Sequence, residues 1–132
     1  MKTLSNIKVF SGLIIFLLLF GCDKETATVA GFENSAITKV EGPTTASVGQ
    51  EVLIKVSLQG NNGCAVSGQL QETVNGSTRT IAGKVNYQGD VCTQAIVYII
   101  TNYSFKASST GVYDLKFIKA DGTFIVHTIT VS

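Results

Sequence analysis

Val52-Leu53-Ile54-Lys55-Val56-Ser57-Leu58-Gln59 decides the fold. Val52, Ile54, Val56 and Leu58 alternate with Leu53, Lys55, Ser57 and Gln59. A period of two puts every apolar residue of the first set on one face of an extended strand and a mostly polar set on the other. Val48-Gly49-Gln50 bends the chain before it, and Gly60-Asn61-Asn62-Gly63 stops it.

The same grammar of short strands and turn residues continues on both sides, which is the mark of an all-β domain. Upstream, Ile37 to Val40 reads as a first strand ended by Gly42-Pro43. Downstream, Val66 to Val74 and Ser77 to Tyr87 flank Asn75-Gly76, a two-residue hairpin signal. Cys92 to Phe105 reads as one long strand, with Ala95, Val97, Ile99, Tyr103 and Phe105 on one face. Ile96, Tyr98 and Ile100 on its other face predict a strand lying mid-sheet or partly covered. Gly111 to Phe117 alternates again, Asp121-Gly122 makes a second tight turn, and Phe124 to Val131 closes the chain. No helix of any length and no internal repeat is supported.

The 132 residues carry 10 basic and 9 acidic side chains. The first 21 residues hold Lys2 and Lys8 and no acid. The remainder of the chain has eight bases against nine acids, a net charge of −1. That balance argues against nucleic acid as a partner, which calls for a basic excess or stripe. The part from Asp23 onward, 110 residues, suits one domain. It is rich in Thr, Val, Ile, Ser and Gly, a strand-forming composition.

Met1 to Cys22 is a separate text. Lys2 and Lys8 precede an apolar run from Val9 to Phe20, and Leu19-Phe20-Gly21-Cys22 closes it. The run is shorter than the roughly 20 residues needed to span a bilayer, and its shape is that of a cleaved leader. Its last four residues resemble the lipobox of bacterial lipoprotein precursors, which ends in an obligatory Cys. The resemblance implies cleavage before Cys22 and a diacylglycerol thioether on it. Several acyl chains hold a protein stably on a membrane where one does not. The expected organisation is a leader over 1–21, lipidated Cys22 with a flexible tether over 22–35, and the folded domain over 36–132. The expected location is the cell envelope, most simply the outer membrane of a Gram-negative bacterium. Asp23-Lys24-Glu25 carries export or retention signals in different lineages and does not decide the face.

Beyond Cys22, Cys64 and Cys92 make an even pair in an exported chain, and a disulfide is the default. A zinc site is the rival, but His127 is the only histidine and no Cys-x-x-Cys occurs. The bridge is expected to tie the start of the polar hairpin to the start of the long strand, stapling an edge.

About seven strands joined by short turns resemble an immunoglobulin-like antiparallel β-sandwich. Thr110-Gly111-Val112-Tyr113 resembles the tyrosine corner of such domains, and the last hairpin, ending in Thr128-Ile129-Thr130-Val131, resembles their final two strands. The resemblance implies that the Tyr113 hydroxyl bonds back to the preceding turn. It does not extend to the buried Trp, because the chain has none.

No catalytic constellation is legible. His127 sits in an apolar alternation with Ile125, Ile129 and Val131, no Gly-x-Ser-x-Gly occurs, and the carboxylates are scattered. No cofactor and no metal is indicated. The one candidate binding surface is the polar hairpin, with Gln69, Gln71, Thr73, Thr78 and Arg79 near its tip. Its polarity serves equally to discourage strand-to-strand aggregation. The reading is a non-enzymatic, lipid-anchored envelope module whose partner is an envelope protein or a glycan. The alternative is an accessory or inhibitor-type subunit of an envelope enzyme or assembly.

Overall fold

A computed structural model describes residues 31–132. The leader, Cys22 and most of the tether lie outside the described residues. Nine strands occur in the described part, and no helix. They are β1 (Phe32–Ser35), β2 (Ile37–Glu41), β3 (Thr45–Ala46), β4 (Glu51–Gly60), β5 (Ala65–Asn75), β6 (Thr78–Tyr87), β7 (Val97–Lys106), β8 (Gly111–Ile118) and β9 (Phe124–Val131). They form two sheets, a small one ordered β2-β4-β7 and a six-stranded one in which β5 and β6 lead through β8 to β9 and β3.

The deciding stretch behaves as its alternation requires. In β4, Val52, Ile54, Val56 and Leu58 are buried, and Ile54, Val56 and Leu58 are fully so. They face Ile81 and Val85 of β6, Leu115 and Phe117 of β8, and Ile129 and Val131 of β9, which with Ile37 and Phe105 make the core between the sheets. Each fully buried side chain of this kind contributes about 1.5–3 kcal/mol of transfer free energy. The turns follow local chemistry. Gly76 and Gly122 adopt positive φ (63° and 78°) at the two hairpin tips. Asp121 accepts bonds from the Thr123 amide (3.0 Å) and hydroxyl (2.6 Å), and these hold its carboxyl below the usual range.

Several expectations need correction. Strand pairing starts at Phe32, ahead of the expected first strand: β1 pairs antiparallel with Gly83–Asn86 of β6 before the chain crosses to the small sheet as β2. There are nine strands rather than seven, because the N-terminal stretch is divided into three short pieces shared between the sheets. The long strand begins at Val97, so Cys92 to Ile96 belong to the loop before it. Its outer face is not covered. β7 is the edge of the small sheet, and Ile96, Tyr98 and Ile100 are all exposed. The pairing also departs from the two antiparallel sheets that the resemblance implied, since β6 runs parallel to β8 and β3 parallel to β9.

Cys64 and Cys92 form a disulfide. It joins the residue before β5 to the loop between β6 and β7 at one end of the sandwich.

Candidate functional site

Strand direction divides the molecule into two ends. At one end lie the disulfide, the start of β1, the end of β4 and the start of β7, brought together by the pairs Phe32–Asn86, Ala65–Tyr87 and Gly60–Val97. At the other lie the β5–β6 hairpin tip, the β3–β4 bend, the β7–β8 loop and the start of β8. A cleft of about 640 Å³ opens between these last four. A smaller cavity, of about 220 Å³, lies where β1 and β8 meet end to end along β6.

Each wall of the cleft is held by its own backbone chemistry. Gly49 sits at the β3–β4 bend with φ of 77°, and its amide donates to the Ala107 carbonyl (2.8 Å), tying that bend to the β7–β8 loop. The Gln50 side chain accepts from the Ser47 amide (2.9 Å) and closes the turn. Tyr113 donates its hydroxyl proton to the Ser109 carbonyl (2.9 Å), four residues upstream, and fixes the loop that leads into β8.

Beneath the cleft an aromatic stack joins the sheets. Phe105 meets Tyr113 edge-on with ring centres 5.3 Å apart, and Tyr103 meets Phe117 in the same manner at 5.8 Å. The Arg79 guanidinium lies 4.8 Å above the centre of the Phe105 ring. It donates to Glu72 (3.4 Å), to the Tyr103 hydroxyl (3.5 Å) and to the Lys106 carbonyl (3.4 Å). Tyr103 in turn donates to Glu72. Burial pushes the Tyr103 phenol up from 10.0 to about 12, and the bond to the Glu72 carboxylate adds to the rise against the opposing charge of Arg79.

The candidate surface residues therefore part company. Gln69, Gln71 and Thr73 lie exposed on the outer face of β5, beside Lys84, Ala82 and Thr80 of β6. Thr78 stands at the hairpin tip opposite Asn75. Arg79 alone turns inward, its side chain mostly covered, and becomes part of the cleft wall. Sequence reasoning missed Lys106, Ser108 and Ser109, which line the opposite wall. Loop hydroxyls after an amphipathic strand give no signal of their own; only the fold brings them against the hairpin. His127 is elsewhere: its Nε2 lies 2.9 Å from the Pro43 carbonyl oxygen, which can only accept, so that nitrogen bears a proton.

Chemically, the cleft is lined by residues rich in donor groups. Arg79, Lys106, Ser108 and Ser109 line it together with Val48 and Ala107. Such a set suits a ligand rich in acceptor oxygens. Among the described residues no group of three or more His, Cys, Asp or Glu side chains is placed to hold a metal ion, and no helix is long and apolar enough to cross a membrane.

Comparison with curated proteins and with solved structures finds no match. A family profile does match. It covers residues 54–131, from within β4 to the last residue of β9, and so takes in the whole large-sheet framework from β5 onward and every wall of the cleft except the β3–β4 bend. On that match, which spans more than half of the chain, the protein belongs to the ORF11 beta-sandwich domain family.

Proposed function

We propose that this protein is a non-enzymatic binding module of the bacterial cell envelope, anchored by lipid on Cys22 and presenting its cleft away from the membrane. The observation that carries the proposal is the polarity of the molecule. The chain enters the fold at Phe32, at the disulfide end, and the cleft opens at the opposite end. An anchor upstream of Phe32 leaves the donor-lined cleft facing outward, toward an oxygen-rich partner such as an envelope glycan or the surface of a neighbouring envelope protein. The apolar run and Leu19-Phe20-Gly21-Cys22 support the anchor and, with it, an outer-membrane location. The bond from Tyr113 to the Ser109 carbonyl, at the place expected of a tyrosine corner, supports an immunoglobulin-like reading of the sandwich. That architecture hosts many unrelated functions, so the functional reading rests on the cleft and the anchor, not on the fold.

The test is fractionation combined with binding. The native chain is expected in the membrane fraction and Cys22→Ala in the soluble one. Purified envelope polysaccharide is expected to bind the native protein and to bind Lys106→Glu much less. Membrane retention of Cys22→Ala would defeat the anchor, and unchanged binding by Lys106→Glu would remove the cleft from the reading.

A further inference from the structure

Large apolar side chains are exposed at both ends of the sandwich, Val48, Val74 and Val112 near the cleft among them, but the most exposed of all, Val91, lies at the disulfide end. Phe32, Val66, Val91, Ile96 and Tyr98 all gather at the disulfide end, with Val91 95% and Tyr98 62% exposed. Register and bonding place them at this end, on both sheets and the loop between them. Phe32 pairs with Asn86, which also opposes Ser67, next to Val66. Val91 and Ile96 belong to the loop that Cys92 ties to Cys64, and Tyr98 is the second residue of β7. Singly exposed apolar residues need no explanation, but a valine left 95% exposed on a loop pinned by a disulfide marks a point that can meet something apolar.

That end is also where the chain leads to its anchor. Asp23 to Gly31, nine residues, separate Cys22 from Phe32. Fully extended they reach about 30 Å, so a lipid on Cys22 keeps this end near the bilayer. The loop is held ready for contact. The disulfide pins it, the Gly63 amide donates to the Thr93 carbonyl (2.9 Å), and the Gln88 amide donates to the Cys64 carbonyl (2.9 Å). Little ordering entropy remains to be lost on contact. From Val85 to Val97 the only charged residue is Asp90. There is no basic cluster to seek anionic headgroups, and the contact is apolar.

We infer that the pinned loop between β6 and β7, with Val91 at its most exposed point, rests in the interfacial layer of the membrane that holds the lipid anchor. The inference rests on the anchor at Cys22 and would fix how the domain stands, with its cleft outward.

The chain contains no Trp, so one introduced indole is the sole reporter. The full lipidated protein is reconstituted in phosphatidylcholine vesicles as Val91→Trp, Ile96→Trp or Val74→Trp, the last at the opposite end. Lipids brominated on the acyl chain are expected to quench Val91→Trp and Ile96→Trp severalfold more than Val74→Trp, whether or not salt is added. Equal quenching in all three, with the protein floating with the vesicles, would overturn the inference and leave the anchor standing. If none of the three floats with the vesicles and Cys22 carries no lipid, the anchor fails and the inference fails with it.

Discussion

Leu58 is approached from two sides by positions that have no room for a side chain. A Cβ on Gly83 would overlap Leu58 Cδ2 and stand 2.9 Å from the Ser35 carbonyl oxygen; one on Gly68 would press on Leu58 Cδ1. The sheets can close over Leu58 only because both residues are glycines. Gly83→Ala is expected to lower stability by about 1–3 kcal/mol, the usual range for overpacking, read as a lower denaturation midpoint with an unchanged slope. Tyr103 gives the alkaline limit. Below pH 10.0 both folded and unfolded phenols hold their proton and stability is flat. Between 10.0 and about 12 the unfolded chain loses the proton while the folded one keeps it, so stability falls as pH rises. Tyr103→Phe is expected to cost about 1 kcal/mol at neutral pH through the lost bond to Glu72, and to flatten that alkaline decline. At this scale the alternation of Val52, Ile54, Val56 and Leu58 was fully legible, because burial acts on each residue separately. Arg79 was not: its inward turn depends on Tyr103, Phe105 and Lys106, which reach it from another sheet.

Among the elements, the two hairpins could be located from Asn75-Gly76 and Asp121-Gly122, but not their register: the loops are Gly76-Ser77, one residue along, and the longer Lys119–Thr123. β1 could not. Phe32-Glu33-Asn34-Ser35 has no alternation, and its strand exists because β8 runs out beside Ile81, leaving the second half of β6 to be paired. The parallel pairing of β6 with β8 is likewise a matter of long connections, on which local sequence is silent. The overlong reading of β7 has a local cause: Ala95 and Ile96 keep the apolar rhythm, but the disulfide at Cys92 holds the chain in the loop until Val97. The bridge was itself readable from the even pair of cysteines beyond Cys22. It closes a separation of 28 residues, and loop closure of that size stabilises by about 3–4 kcal/mol on the chain-entropy account. Replacing Cys64 and Cys92 together with Ala is expected to reduce unfolding free energy by that amount, with melting of the oxidised native protein as the reference.

For the whole molecule, the family match and the fold do not share a boundary. Residues 54–131 omit β1, β2, β3 and the first part of β4. Those pieces supply Ile37, Ala46 and Val52 to the core and cover the free half of β6 and the outer edge of β9. A fragment limited to 54–131 is therefore expected to show no cooperative unfolding transition, whereas 31–132 should show one. The candidate site follows the same pattern: the hairpin singled out in the sequence contributes Gly76 and Arg79 to the cleft, but the cleft needs the β3–β4 bend and the β7–β8 loop, two segments with no functional signature apart from the fold.

The placement of β1 has a mechanical side. Phe32 enters at one end and Arg79, Lys106 and Ser109 line the other, so tension applied between the N-terminal entry and the cleft would run along the strand axes. Ladder hydrogen bonds lie across those axes. The four residue pairs between β1 and β6 thus carry such a load together, in shear, rather than opening one after another as a zip. A domain loaded this way would yield abruptly rather than peel.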